Sequence, residues 1–172
     1  MFTILFYHIF SLILLTSHKT ENTMNIQSFY IIGISVRTTN ENNQAGKDIS
    51  ELWNTFLSQN IIQKIPNKIG GEVYSVYTDY EKDYTKPYTT ILGCKVSSLD
   101  SIPQGMIGKT ISGGNYKKYL AKGSLKEGIV YKEWEKIWKE KIKRTYTADF
   151  EVYGEKSQNP ENAEVEIFIA VK

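Results

Sequence analysis

The sequence contains the same order of strand and helix patterns twice, and this repetition constrains the fold more than any other feature. Each occurrence consists of an extended segment, an amphipathic helix and two further strands. The helices match as ELWNTFL and KEWEKIW, the middle strands as GEVYSVY and ADFEVYG, and the last strands as YTTILGCKV and AEVEIFIAVK. Few aligned residues are identical, so the match is one of pattern. It predicts an α+β fold of two β-α-β-β halves related by a pseudo-twofold axis, with antiparallel sheets, two main helices and a groove between the halves.

The first half is predicted to contain one helix between its strands. We expect a strand at 29–37, a flexible polar connection at 38–47, and a hairpin of two strands at 72–80 and 88–97. The helix is expected to begin near Asp48 or Ser50, either of which is an acceptable N-cap. Its apolar side chains recur at helical spacing and are Ile49, Leu52, Trp53, Phe56 and Leu57. Such a stripe is expected to pack on a sheet.

The second half is predicted to follow the same plan with a longer helix. Extended segments at 105–111 and 115–122 flank a kink at Gly113-Gly114, and a helix is expected at 126–143. Two strands, at 148–155 and 163–172, close the chain. The helix is predicted to bury Val130, Trp134, Ile137, Trp138 and Ile142.

Strand periodicity indicates which side chains share a face of the sheet. Val165, Ile167, Ile169 and Val171 alternate and are expected beneath the helices. In the preceding strand Asp149, Glu151 and Tyr153 share one face, so Glu151 is a carboxylate flanked by aromatic residues. In an aromatic cleft it would attract a lipophilic cation through charge and cation–π contact. A glutamate on a solvated sheet face is the alternative that the pattern leaves open.

The chemistry available to the chain is limited by its histidines. Both, His8 and His18, lie in an apolar leader, and no histidine follows Met24. This excludes histidine acid–base, nucleophilic and zinc chemistry from the body and leaves Asp, Glu, Tyr, Lys and Arg. The single Cys94 has no metal-ligand spacing around it, and neither a GxGxxG nor a P-loop motif is present. We therefore predict no metal and no cofactor, and the net charge of +2 gives no basis for nucleic-acid binding.

The first 23 residues form the leader and are predicted to lie outside the fold. The apolar run 2–15 is too short to span a bilayer comfortably, no Lys or Arg precedes it, and no small-x-small cleavage site follows. A weak export signal and a translation start at Met24 are the two alternatives, and we favour the second. The expected protein is cytoplasmic, without membrane association, and its domain spans 28–172.

Several segments of the body together resemble a known family. In order, they are WNTFL, VYSVYTDYE, YTTILGCKV, IPQGMIGKTISGGNYKKY, EKIW, ADFEVYGE and VEIFIAVK. The ordered set is similar to the GyrI-like, or AraC-type effector-binding, domain, and most similar to its stand-alone branch, which includes the integron-associated effector-binding proteins. The resemblance runs from about Ser28 to Lys172. No single motif is diagnostic, and the specificity lies in the order.

The resemblance implies a groove between two halves that takes hydrophobic, often cationic, compounds. It implies a glutamate at the base, which Glu151 in DFEVY matches, and aromatic walls. The candidate wall residues are Tyr77, Tyr88, Tyr116, Tyr153, Trp53 and Trp138. The alternative for each tyrosine is sheet packing, and for the tryptophans, which lie in helical stripes, it is the core.

These observations favour a stand-alone protein that binds small hydrophobic or cationic molecules and is not an enzyme. No helix-turn-helix pattern precedes Phe29, although related modules are often fused to one, so direct DNA binding is not expected. Two alternatives stay open. One is a hydrolase of cyclopropane-type genotoxins that uses Glu and Tyr, and the other is a gyrase-inhibitor-like interaction module. A protein partner would then be gyrase or a DNA-binding regulator.

Overall fold

The computed structural model describes residues 23–172, and the predicted leader up to residue 22, with both histidines, lies outside the described residues. The strands are β1 Thr23–Ile26, β2 Phe29–Thr38, β3 Val73–Thr78, β4 Tyr88–Val96, β5 Ile107–Ile111, β6 Gly114–Gly123, β7 Ala148–Tyr153 and β8 Ala163–Val171. The helices are α1 Gln44–Ser58, the short α2 Ile61–Lys64, and α3 Ile129–Lys139. The α+β class and the two main helices are confirmed.

The eight strands form one antiparallel sheet, whose order is symmetric about its centre. The order is β1-β6-β8-β7-β3-β4-β2-β5, with β3 paired to β7 in the middle. The strands matched by sequence, β3 with β7 and β4 with β8, occupy equivalent places on either side of that centre. The two predicted halves therefore join edge to edge through a single sheet instead of packing as separate sheets.

The sheet also closes on itself, because β1–β2 and β5–β6 form one interrupted ladder. Phe29 of β2 pairs with Ile111 of β5. Ile26 of β1 lies three residues before Phe29, and it pairs with Gly114 of β6, which lies three residues after Ile111. The register is thus unchanged across the break. Strand β1 was not predicted from the sequence, and it extends the sheet ahead of Ser28.

The two faces of the closed sheet have separate cores. Away from the helices, Phe29, Tyr116, Phe150 and Phe168 pack together inside the closure with smaller aliphatic residues. On the helix face, α3 contributes Trp134 and Ile137, which pack with the predicted row of Val165, Ile167, Ile169 and Val171. Helix α1 contributes Leu52 and Phe56 to a third cluster.

Both helices differ in length from the prediction, and local backbone explains each difference. Helix α1 begins at Gln44, earlier than predicted, because Asn43 takes a left-handed conformation that an asparagine tolerates and turns the chain. Helix α3 begins only after Gly128, whose φ of 68° interrupts the predicted helix. It ends at Lys139 because Glu140 takes an extended conformation, with φ −80° and ψ 137°. Further along the same segment, Arg144 pairs with Val171. Among residues 23–172, no helix is long and apolar enough to cross a membrane.

Candidate functional site

A cavity of about 920 Å³ lies on the helix face, where the two halves of the sheet meet. Helix α1 and helix α3 form its sides, and β3 and β7 contribute to its floor. Its aromatic lining consists of Trp53, Tyr77, Tyr80, Tyr84, Tyr88, Tyr131, Trp134, Trp138 and Tyr153. Within the described part of the chain, two charged side chains line it, Glu151 and Arg144. The predicted groove between the halves is therefore present as an aromatic cavity.

Glu151 lies at the floor with its carboxylate held by three neutral donors. Its Oε1 accepts hydrogen bonds from Tyr77 Oη at 2.7 Å and Trp134 Nε1 at 2.6 Å, and its Oε2 accepts one from Tyr153 Oη at 2.8 Å. The residue is 2% exposed. The alternative of a solvated glutamate is therefore excluded, because β7 lies at the centre of the sheet and directs this side chain toward the helices.

Burial and hydrogen bonding act on the pKa of Glu151 in opposite directions. Burial disfavours the charged form and raises its pKa, while the three hydrogen bonds lower it, with burial the larger effect. Burial also raises the pKa values of Tyr77 and Tyr153 well above the ordinary value of tyrosine. Both phenols are consequently protonated at neutral pH and can donate to the carboxylate.

Aromatic pairs from both halves form the walls. Trp53 on α1 lies edge-on to Tyr153 on β7, with ring centroids 4.8 Å apart. Tyr77 and Trp134 are 5.3 Å apart at 85°, which is the edge-to-face geometry that aromatic rings favour. Trp138 stacks on Tyr84 at 5.6 Å. Rings from α1, α3 and both central strands thus surround the Glu151 carboxylate.

A second polar cluster lies at the cavity around Arg144. Its Nη2 donates to Asp149 Oδ2 at 2.6 Å, and Tyr80 Oη donates to the same oxygen at 2.8 Å. The backbone N–H of Ala170 donates to Asp149 Oδ1 at 2.9 Å. The Arg144 and Asp149 side chains are 4% and 0% exposed. The positive charge of Arg144 is therefore compensated, and Glu151 provides the uncompensated charge of the cavity.

The structure brings most of the predicted site residues together. Glu151, Tyr77, Tyr88, Tyr153, Trp53 and Trp138 all line the cavity. Tyr116 is a correction, because it lies in the core inside the closed sheet, 5.3 Å from Phe150 between ring centroids. It pairs with Ala170, which points away from the helices, so Tyr116 cannot form a wall of this cavity.

Sequence reasoning missed several residues that the cavity contains. Trp134 was assigned to the core, although it also donates to Glu151. Its position one helical turn before Trp138 is the signal that places both on one face. Tyr84 comes from the loop between β3 and β4, and Arg144 from the irregular segment after α3. No periodicity connects those two segments to the sheet.

Comparison with known proteins identifies the family. Residues 24–171 match the sequence model of the Cass2 family, described as integron-associated effector binding protein. The chain belongs to this family. An integron cassette protein of Vibrio cholerae has a similar structure, with a TM-score of 0.69 and 33% identity, covering 88% of this chain and 95% of that one. Membership in this family therefore accounts for the fold.

Two further proteins are similar to this effector-binding chain. YobU of Bacillus subtilis (strain 168), named as a candidate transcriptional regulator, is 26% identical over 147 residues, which is 81% of this chain and 90% of YobU. The structure of SAV2435, solved with bound tetraphenylphosphonium, has a TM-score of 0.71 at 16% identity and covers 87% of this chain and 92% of that one. The second likeness shows a shared fold.

Proposed function

We propose that this protein binds small hydrophobic cations in the aromatic cavity, with Glu151 as the counter-charge. One observation carries the proposal. The Glu151 carboxylate is buried at the cavity floor, and within residues 23–172 its hydrogen bonds come from Tyr77, Tyr153 and Trp134, with no lysine or arginine in ion-pair contact.

A buried carboxylate without a cationic partner favours a ligand that supplies one. Removing a charge from water costs several kcal/mol, which hydrogen bonds from neutral groups offset only in part. A bound cation would add Coulomb attraction in a medium of low dielectric constant. Each aromatic face that it meets would contribute ~0.5–2 kcal/mol of cation–π attraction. Selectivity for positive charge and affinity for apolar surface then arise from the same cavity.

The size and lining of the cavity support ligands of varied shape. Its volume lies in the range of small-molecule sites, roughly 300–1,000 Å³. Aromatic walls attract apolar surface without fixing its direction, so we expect several cations of different outline to bind. Tetraphenylphosphonium, bound in the structure of SAV2435, is such a cation, and that protein shares this fold.

Two ions of equal shape and opposite charge test the proposal. Tetraphenylphosphonium should bind, while tetraphenylborate, its near-isosteric anion, should not bind at concentrations that saturate the first. In Glu151→Gln the affinity for tetraphenylphosphonium should fall at least about thirtyfold, or ~2 kcal/mol, because the buried charge pair is lost. The chain has three tryptophans, Trp53, Trp134 and Trp138, and all line the cavity, so their fluorescence reports binding.

Glu51→Gln is the matched control, because it removes the same charge from an exposed position on α1. That carboxylate is 65% exposed and pairs with Lys47 at 3.9 Å. The affinity of the Glu51→Gln variant for tetraphenylphosphonium should equal that of the wild type. Equal losses in both variants, or equal binding of the two ions to the wild type, would contradict a specific role for Glu151.

A further inference from the structure

Arg144 carries hydrogen-bond donors that nothing in the described part of the chain satisfies. A guanidinium has five N–H groups, and one Nη2 contact, to Asp149, accounts for the hydrogen bonds of this side chain. Among residues 23–172, no hydrogen-bond partner reaches its Nε or its Nη1, although both atoms are buried. Buried donors without partners are rare in folded proteins and call for an explanation such as a bound group.

Asp149 has room for about one of these remaining donors, because a carboxylate accepts about four hydrogen bonds. It already accepts from Arg144, from the Tyr80 hydroxyl and from the backbone of Ala170. Even a bidentate arrangement of the pair would therefore leave most of the remaining guanidinium N–H groups without an acceptor. The unsatisfied side of the guanidinium has to meet something other than its ion-pair partner.

Aromatic rings surround the guanidinium and connect it to the floor of the cavity. Its central carbon lies 4.5 Å from the ring centroid of Tyr146, 5.7 Å from that of Tyr84 and 5.8 Å from that of Trp134. Tyr84 and Trp134 line the cavity together with Arg144. Trp134 also donates to Glu151, so one indole separates the two polar clusters. A single ligand can therefore reach both.

We propose that Arg144 forms a second polar subsite, which accepts a neutral oxygen atom, a carbonyl or an ether, from the ligand whose cationic part lies at Glu151. This proposal rests on the proposed function and adds a second element to the ligand. The oxygen is neutral because Asp149 already balances the charge of Arg144 and would repel an added anion at this short range. The natural effector is then a hydrophobic cation that also carries a hydrogen-bond acceptor.

Two dyes that differ in one group provide the test. Tetramethylrosamine and tetramethylrhodamine methyl ester contain the same xanthylium cation, and the second adds an ester carbonyl on its pendant phenyl ring. The methyl ester should bind the wild type about tenfold more tightly, which is the scale of one hydrogen bond to a charged donor. Equal affinities would overturn the acceptor subsite and leave the cation site intact. If neither dye binds, the proposed function itself fails.

Arg144→Lys separates the hydrogen-bond donors from the charge. A lysine keeps a positive charge opposite Asp149 but lacks Nε and Nη1. The ratio of the two affinities should fall to about one. This ratio is the readout, because Arg144 lines the cavity and its replacement changes the surroundings of both dyes. An unchanged tenfold preference in this variant would overturn the proposal.

A spectroscopic measurement on the wild type covers the case in which this variant does not fold. The chain contains two arginines, Arg37 and Arg144, so their Nε–H resonances can be assigned with Arg37→Lys. The Arg144 Nε–H signal should shift when the methyl ester binds and shift much less with tetramethylrosamine. Identical shifts with the two dyes would place the carbonyl elsewhere.

Discussion

Glu151 stays available to a ligand because its hydrogen-bond partners are neutral. Tyr77, Tyr153 and Trp134 orient both carboxylate oxygens without cancelling the negative charge. Asp149, two residues earlier on the same strand face, is instead neutralised by Arg144. The two carboxylates thus differ in charge balance through their partners, and under the proposed function Glu151 is the one that attracts an external cation.

The affinity for a cation should depend on pH through Glu151. Burial raises the pKa of this carboxyl, and a cation binds its ionised form, so affinity should fall as the pH drops through that pKa. Below it, the dissociation constant for tetraphenylphosphonium should rise by up to about tenfold per pH unit. Tryptophan fluorescence titrations between pH 8 and pH 5 measure this.

Glu151→Gln is the control, since its weaker residual binding should be independent of pH.

The free energy of unfolding should also depend on pH through Glu151, but it should fall with rising pH, whereas the affinity for a cation rises. Because the pKa in the folded state is raised, ionisation of Glu151 lowers the free energy of unfolding as the pH rises from the ordinary pKa to the folded one. The stability of Glu151→Gln relative to the wild type should therefore increase over that interval. If the free energies of unfolding of the two proteins changed in parallel with pH, the raised pKa would not belong to Glu151.

Strands β2 and β4 approach each other closely at a pair of glycines. Gly33 faces Gly93 in the ladder, and a Cβ atom added to Gly93 would lie 2.2 Å from the backbone oxygen of Ile32. Backbone cannot move aside as a flexible side chain can, so this pairing requires glycine on both strands. The close approach holds β2 against β4 beneath α1.

Gly93→Ala should therefore destabilise the protein strongly, by at least about 2 kcal/mol, because the ladder must separate to admit a methyl group. Urea unfolding followed by circular dichroism measures the change. Gly114→Ala in β6 is the matched control, since a Cβ there meets no atom within 4 Å, and its effect should stay within about 0.5 kcal/mol. Similar losses in both variants would show that the close approach is not the cause.

Periodicity predicted the elements well and their ends poorly. The stripes of α1 and α3 identified both helices, because apolar spacing reflects the face that packs. The ends depended on single residues, Asn43 and Gly128, whose backbone conformations no periodic pattern reveals. Residues 140–143, just before Arg144, were assigned to a helix. Pairings with residues distant in sequence, such as Arg144 with Val171 and Thr145 with Ala170, hold the segment extended.

At the scale of the molecule, the repeat predicted the two halves but not the closure of the sheet. Alternation grouped Glu151 with Asp149 and Tyr153 on one face, because one strand suffices for that, but it left open whether this face is solvated. To decide the face on which Tyr116 lies, the register between β6 and β8 is needed. In that register Tyr116 pairs with Ala170, which assigns it to the inner core. Pairings between distant strands leave no local pattern, which is why β1 and the misplaced wall residue escaped the sequence analysis.

The cavity belongs to both halves, and a ligand should therefore stabilise both helices together. Ile49 and Trp53 on α1 and Val130 and Trp138 on α3 line it. At a concentration about 100-fold above the dissociation constant, tetraphenylphosphonium should raise the free energy of unfolding by ~2.7 kcal/mol. Hydrogen exchange followed by mass spectrometry should show that the ligand slows exchange in both α1 and α3. This slowing should be larger in the two helices than in the β1–β6 ladder on the far side of the sheet. Glu151→Gln at the same ligand concentration should show much less protection. Protection limited to one helix would mean that the ligand occupies one half, and a cavity shared by both would be the wrong description of the binding site.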